Sequence, residues 1–273
     1  MKETGQIRIG NQTAFSASSI IEPFRYAVAN RFDAFEWFPD KKESGEGWTE
    51  HDIKKNARTL IRKIAFHHDI TLSVHASRQA NPFKPEGREV LIGQIEFAQD
   101  MGASLLNIHI CAKDGLEAYV QAIGALLKRL VKSGIKLAIE NTPATEPETF
   151  NELFERIREL GSKDTNQVGM CLDLGHANLC PQTLNDYLKF IDLLDPQIPI
   201  THVHMHENYG DYDSHLVIFT GPAGKDPSGI GGFLDRLCER RFSGSIILEQ
   251  WPQPPILLNA ARNRLAEMIK TRF

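Results

Sequence analysis

The segment GMCLDLGH, residues 169–176, has the form of a short apolar strand that ends in a carboxylate, followed by a histidine. Side chains of a strand alternate between its two faces. The small residues of the segment therefore share the face of Asp173, whereas Met170 and Leu172 lie on the opposite face. One face is narrow and ends in a ligand-type group, and the other is aliphatic. This division is typical of a closed parallel barrel, whose outer wall receives helices.

Five other apolar runs also end in a carboxylate or an imidazole. They are TLSVHA at 71–76, LLNIHI at 105–110, KLAIEN at 136–141, THVHMH at 201–206 and SIILEQ at 245–250. Polar groups that recur at the carboxyl ends of successive strands predict one site assembled from the whole chain. Histidine mixed with aspartate and glutamate, without cysteine, suits a divalent ion such as zinc, manganese or iron.

Strand-like runs alternate with helical segments along the chain. Strands are predicted at 6–11, 32–38, 70–76, 104–110, 136–142, 168–174, 200–206 and 245–250. Apolar spacing and end signals predict helices at 53–69, 88–102, 115–134, 146–160, 181–194 and 257–271. Eight alternations predict an α/β fold, a single (β/α)8 TIM barrel domain over residues 1–273. An open dinucleotide-binding sheet is disfavoured because no GxGxxG follows the first strand.

The composition is that of an ordinary globular chain. Of 273 residues, 41% are apolar and 24% are charged, and no window approaches the ~18 apolar residues of a membrane span. We expect a soluble, cytoplasmic protein without a membrane partner, whose four cysteines are free thiols. The net charge of -4 and the dispersed basic residues disfavour nucleic acid as a partner and favour a small molecule. A homo-oligomer is compatible with this sequence.

The acids at the strand ends have a structural interpretation beside the functional one. Glu140 and Glu249 are costly to bury unless each is paired or bound to metal, so the alternative to a metal site is a salt bridge at the barrel mouth. Asp173 and His176 form D-x-x-H just past a strand, and a turn would bring both side chains to one ion. As an alternative, His176 would cap the next helix.

More candidates surround the seventh strand. His204 lies at the level of a ligand, whereas His202, one pleat deeper, is predicted to be a hydrogen-bonded core imidazole. Asp213 and His215 follow in a loop that either holds another ion or is solvated.

Two other strand ends carry lone imidazoles, His75 and His109, which would complete a further metal site. Cations that follow the third and fourth strands, Arg78 and Lys113, would meet an anionic substrate or be solvated. The predicted substrate contacts are His176, His206, Glu36, Trp37 and Lys113. As alternatives, His206 would support the metal ligands and Glu36 would bind the backbone of a neighbouring strand.

The strand-end motifs resemble those of a known superfamily. VHAS, NIHI, AIENTP, CLDLGHANL, HMHEN with DYDSHL, and ILEQ are similar to motifs of the xylose isomerase-like TIM barrels, which comprise sugar phosphate isomerases and epimerases and the endonuclease IV-type AP endonuclease family 2. The resemblance implies a central divalent ion held by Glu140, Asp173, His204 and Glu249. In the nuclease branch it implies two further ions, one at His75 and His109 with Glu140, the other at His176, Asp213 and His215.

The resemblance implies a metal-dependent isomerase or epimerase that acts by enediolate chemistry on a small sugar, sugar phosphate or related polyol carbonyl compound. Glu140 and Glu249 would then be the catalytic acids and bases, and His176 would contact a substrate hydroxyl. The alternatives are a phosphodiesterase at abasic sites in DNA, a metal-dependent lyase or dehydratase, and a non-catalytic metal-binding barrel. We expect one ion, and three at most, from among Mn, Zn, Co, Mg and Fe.

Overall fold

The computed structural model describes residues 6–113, 115–161 and 163–273. Eight parallel strands close into a barrel in chain order, with helices between them, which confirms the predicted (β/α)8 fold. The strands are β1 Arg8–Gln12, β2 Ala34–Trp37, β3 Thr71–His75, β4 Leu105–His109, β5 Lys136–Glu140, β6 Val168–Asp173, β7 Ile200–Met205 and β8 Ser245–Leu248.

Ten α-helices lie in the described part of the chain. They are α1 Glu22–Ala29, α2 Lys55–His67, α3 Pro85–Met101, α4 Leu116–Ser133, α5 Pro147–Glu159, α6 Leu174–Leu179, α7 Tyr187–Leu193, α8 Pro222–Lys225, α9 Ser228–Glu239 and α10 Ile256–Lys270. As predicted, α3 and α4 end at glycines: Gly102 and Gly134 adopt φ of 72° and 68°. Such left-handed positions favour glycine because it lacks a Cβ.

The single helix predicted over 181–194 is wrong. A 3₁₀ turn at Pro181–Thr183 is followed by Asn185 in the left-handed region, at φ 62°, and α7 begins only afterwards. A left-handed residue cannot continue a right-handed helix. The new helix starts where the Asp186 side chain accepts a hydrogen bond from the backbone N–H of Lys189.

The strand register brings ligand-type residues to one end of the barrel. His109 of β4 lies opposite Glu140 of β5, and Asp173 of β6 lies opposite His204 of β7. Glu249 lies one residue beyond the end of β8, whereas the sequence predicted it within the strand. All of these residues lie at the carboxyl ends of the strands, where sites of this fold form.

Trp37 does not face the barrel interior. Its side chain is fully buried on the outer side of β2, with ring centroids of Phe24, Trp48 and Phe97 at 5.5, 6.1 and 6.5 Å. The prediction that Trp37 contacts substrate is therefore wrong, because aromatic side chains between the strand and its helices enclose the ring.

Two further sequence predictions concern thiols and membranes. All four cysteines are free, as predicted. Within the described residues, no helix combines the length and the apolar composition that crossing a bilayer requires.

We expect Trp37→Ala to lower the free energy of unfolding by ~3–5 kcal/mol, because it leaves a cavity in a closely packed core. Urea denaturation followed by circular dichroism measures this change. Phe66→Ala is the control, since that side chain is 89% exposed and its removal should change stability by less than about 0.5 kcal/mol. Equal losses in the two variants would contradict the buried position of Trp37.

Gly175 of α6 lies against the ring of His206, and a Cβ at this position would overlap that ring. We expect Gly175→Ala to lower the free energy of unfolding by ~1–3 kcal/mol, as overpacked sites do. Gly124→Ala in α4 is the matched control, because a Cβ there meets no atom within 4 Å and alanine favours a helix by up to ~1 kcal/mol. If both variants are as stable as the wild type, the described contact is incorrect.

Candidate metal centre

A cavity of about 400 Å³ opens at the carboxyl ends of the strands. Beneath it lie Asp173 and His204, neither of which is exposed to solvent. The other seven predicted metal ligands line the cavity: His75, His109, Glu140, His176, Asp213, His215 and Glu249. The structure therefore brings together all nine residues that the sequence proposes as ligands.

The centre of the site is a ring nitrogen of His204 that faces three carboxylates. Nδ1 of His204 lies 3.2 Å from Glu249 Oε1, 3.4 Å from Glu140 Oε1 and 3.9 Å from Asp173 Oδ2. This nitrogen is buried and makes no hydrogen bond within the described structure. One nitrogen and three carboxylates around a common point are a donor set for a divalent cation.

Glu140 is contacted on both of its oxygens. Nε2 of His75 lies 3.1 Å from Oε2, and Nε2 of His109 lies 3.3 Å from Oε1. The side-chain amide of Asn107 also donates a hydrogen bond to Oε2. Because Oε1 also lies 3.4 Å from Nδ1 of His204, the Glu140 carboxylate connects the central group with a second group formed by His75 and His109.

A third group of ligand-type residues surrounds Asp213. Nε2 of His176 lies 3.3 Å and Nε2 of His215 3.1 Å from Asp213 Oδ2. Nε2 of His206 lies 3.6 Å from Oδ1 of the same carboxylate and 3.2 Å from Asp173 Oδ1.

The third group depends on a loop between β7 and α8. Backbone N–H and C=O groups of Glu207 and Leu216 pair in both directions at 2.9 Å and close the loop that carries Asp213 and His215. The buried Glu207 carboxylate accepts hydrogen bonds from the backbone N–H groups of Gly221 and Ala223, at 2.9 and 2.6 Å. The loop thus leaves and rejoins the barrel at fixed points.

Histidines and acids at the site shift one another's protonation. Burial would raise the pKa of Asp173, but the charges of His176 and His206 outweigh burial and hold it below the usual range. Burial would also raise the pKa of Asp213, but hydrogen bonds from His176 and His215 outweigh the effect of burial and lower that pKa. Burial would lower the pKa of His176, but Asp173 and Asp213 raise it to about 10.

Backbone carbonyls orient two of the imidazoles. Nδ1 of His75 lies 2.8 Å from the carbonyl oxygen of Ala76, and Nδ1 of His176 lies 2.8 Å from that of Asn141. A hydrogen bond at Nδ1 leaves Nε2 free to face Glu140 or Asp213, which is how metal-ligating histidines are usually held.

Glu36 is not a substrate contact, which corrects the sequence prediction. Its side chain is fully buried beneath the centre, with Oε1 2.8 Å from Nε2 of His204 and Oε2 2.9 Å from Nε2 of His202. Burial would raise its pKa, but the charges of the two imidazoles hold the pKa well below the usual range. His202 is the buried, hydrogen-bonded core imidazole that the sequence predicts.

The sequence did not include His206 among the ligands. It follows His204 by two residues and so shares its inner face, and the sequence predicts that it contacts substrate or supports the ligands. Its ring is buried, stacks on the ring of His215 at 4.0 Å between centroids, and lies over Gly175. In the sequence, Gly175 is the signal for this approach, because a residue with a Cβ would leave no room for the His206 ring.

The two cations that follow β3 and β4 differ in position. Arg78 lines the cavity, whereas Lys113 is exposed and does not belong to its lining. The backbone N–H of Arg78 donates to the buried carboxylate of Asp40 at 3.1 Å, and the Ser77 hydroxyl donates to the same oxygen at 2.6 Å. This network fixes the start of the loop that carries Arg78.

Known proteins are similar to this chain in sequence and in structure. The probable endonuclease 4 of Campylobacter concisus is 34% identical over 119 residues, which cover 38% of this chain and 41% of that protein. The matched part of the chain spans between 37% and 69% of the length of these curated relatives.

Among solved structures, a D-tagatose 3-epimerase-like protein is 20% identical, with a TM-score of 0.73, and the match covers 97% of this chain and 98% of that one. The IOLI protein with a bound zinc atom is 14% identical, with a TM-score of 0.69 and coverage of 97% and 99%. At these identities, the likeness concerns the fold.

The family comparison covers most of the chain. Residues 24–269 match the xylose isomerase-like TIM barrel family, so the match includes all nine proposed ligands as well as Glu36, His202 and His206. The chain belongs to the xylose isomerase-like TIM barrel family.

Proposed function

We propose that this chain is a metal-dependent isomerase or epimerase that acts on a small polyhydroxylated carbonyl compound. The observation that carries the proposal is the buried Nδ1 of His204 between the carboxylates of Glu140, Asp173 and Glu249. The size of the cavity, about 400 Å³, suits a small molecule. The net charge of -4 supports the same class of substrate.

These four residues would hold the ion. Glu140, Asp173, His204 and Glu249 supply one neutral nitrogen and three anionic oxygens, a donor set that zinc, manganese, cobalt, magnesium and iron accept to different degrees. When bound, such an ion polarises a carbonyl oxygen and makes the neighbouring C–H bond more acidic.

The carboxylates of Glu140 and Glu249 differ in how closely neighbouring side chains hold them. Both oxygens of Glu140 have close partners, whereas Glu249 Oε2 has only two distant ones, His206 and His215, each at 3.8 Å. We therefore assign proton removal from the substrate carbon to Glu249, and proton return to Glu140 on the other face. His176, which also lines the cavity, would donate a hydrogen bond to a substrate hydroxyl.

Other lining residues would determine which substrates fit the cavity. The ring of Phe38 packs on His75 at 4.3 Å and offers an apolar wall. Of the two cations that the sequence offers for contact with an anionic substituent such as a phosphate, we assign this role to Arg78, because it reaches the lining and Lys113 does not.

We expect solvent deuterium to exchange into at least one member of a panel of ketoses and ketose phosphates. The panel is incubated in heavy water with Mn, Co, Mg or Zn and followed by proton NMR. Glu249→Gln should slow the exchange at least ~100-fold, because general-base catalysis contributes that much or more. Glu155→Gln, the same change at an exposed site on α5, should leave the rate unchanged.

The absence of exchange at every carbon-bound proton, with each ion, would reject the enolising reaction. If exchange occurs only with phosphorylated members and Arg78→Met removes that preference, the assignment of Arg78 is supported. A preference that survives Arg78→Met assigns the anion to another residue.

A second candidate function is hydrolysis of a phosphodiester at an abasic site. It is favoured by the contacts of Glu140, whose oxygens face both the central group and the group formed by His75 and His109. A carboxylate held from two sides is better suited to bridge two ions than to exchange protons. The third group, at Asp213, would complete a three-ion cluster of the kind that steadies phosphoryl oxygens.

Metal analysis separates the two candidates. If the second is correct, plasma mass spectrometry should find three ions per chain and the protein should nick a duplex that contains one abasic site. Asp213→Asn should then reduce the count to two, because it removes the central carboxylate of the third group. Asp211→Asn, an exposed acid of the same loop, should leave it at three. One ion per chain, without nicking, would reject the second candidate.

A further inference from the structure

Glu36 is a buried carboxylate at the centre of the barrel that the proposed reaction does not use. Oε1 lies 2.8 Å from Nε2 of His204, and Oε2 lies 2.9 Å from Nε2 of His202 and accepts a hydrogen bond of 2.8 Å from the hydroxyl of Ser73. None of the four side chains is more than 4% exposed. The cavity lies above this cluster, on the side of the His204 ring that faces Glu140 and Glu249.

A neutral imidazole carries its proton on one nitrogen only. A carboxylate oxygen is an acceptor, so a contact of 2.8 Å with Glu36 places the His204 proton on Nε2. The lone pair then lies on Nδ1, which is the nitrogen that faces Glu140, Asp173 and Glu249. With the proton on Nδ1 instead, that nitrogen would have no lone pair with which to bind a metal ion in the central group.

Two neighbouring contacts prevent Glu36 from turning away. His202 and Ser73 both engage Oε2, so rotation of the carboxylate would break two buried hydrogen bonds, each costly to lose without a replacement partner. The pairing of β2 with β3 also places Glu36 directly opposite Ser73. The Glu36 carboxylate, which accepts the hydrogen bond from His204, is thus held in place by His202 and Ser73.

We propose that Glu36 is a positioning residue that selects the Nε2–H tautomer of His204 and thereby makes Nδ1 a metal ligand, with His202 and Ser73 keeping its carboxylate in place. The inference rests on the central metal site of the proposed function and not on the reaction. It therefore holds equally for an isomerase, a phosphodiesterase or a barrel that only binds metal.

The first test is NMR of zinc-loaded protein in which the histidine rings carry ¹⁵N. The His204 signals, identified by their loss in His204→Gln, should report a proton on Nε2 and a ligated Nδ1. A proton on Nδ1 of His204 in the wild-type protein would overturn the proposal. This measurement needs no variant of Glu36, so it stands even where such a variant does not fold.

The second test compares Glu36→Gln with Ser73→Ala. The glutamine amide accepts through one atom only and cannot hold both imidazoles in the Nε2–H form. We expect it to weaken zinc affinity ~10–100-fold, as loss of a partner behind a metal-ligating histidine does. Ser73→Ala removes one of the two hydrogen bonds to Oε2 but leaves both imidazole contacts, so it should weaken zinc affinity much less than Glu36→Gln does.

Zinc affinity is measured by competition with a chromophoric chelator, and folding is monitored by circular dichroism. If Glu36→Gln binds zinc as tightly as Ser73→Ala and keeps the same His204 tautomer, Glu36 has only a packing role and the proposal fails. Because neither readout involves turnover, a negative deuterium-exchange experiment would reject the proposed reaction and leave this inference intact.

Discussion

Carboxylates at the centre of this barrel are compensated by imidazoles, and the whole site depends on that compensation. Glu36, Glu140 and Asp173 are at most 1% exposed, and a charged carboxylate in such surroundings is costly unless it is paired. Each has a histidine nitrogen within 3.2 Å. Histidine suits this role because one nitrogen can bind a partner while the other faces an ion. Alternating acids and imidazoles therefore allow a barrel interior to be polar and still be packed.

Much of this arrangement could be predicted from sequence because face parity has a strict period of two. The parity of GMCLD and KLAIE assigned Asp173 and Glu140 to the interior, and the closed barrel confirms that assignment. Parity also placed Trp37 on the outer face, so its assignment to the substrate contradicted the pattern itself. The helix break at Asn185 had only a weak signal, because asparagine adopts the left-handed region more often than most residues but does so only where the tertiary context requires it.

The level of a side chain along the barrel axis could be predicted within one strand, as for His202 below His204, but not between strands. Glu36 and Glu140 both end inner-face runs, yet Glu36 lies opposite Ser73 and Glu140 lies opposite His109. Those levels follow from the stagger between neighbouring strands, which is a property of the closed barrel and not of any single strand. The direction of the His206 ring, which lies over Gly175, likewise depends on tertiary packing and not on strand parity.

The loop closed by Glu207 and Leu216 has an evolutionary consequence. It carries Asp213 and His215 and is joined to the barrel by one backbone bridge, by the Glu207 carboxylate and by the side chain of Asn208, which bonds to Gly175 and Asn178. An exchange of the residues between Asn208 and Leu216 would add or remove two ligands without repacking a single strand. The number of ions in such a barrel would then be a heritable property of one surface segment, and descendants of a common ancestor would change chemistry while their cores stayed the same.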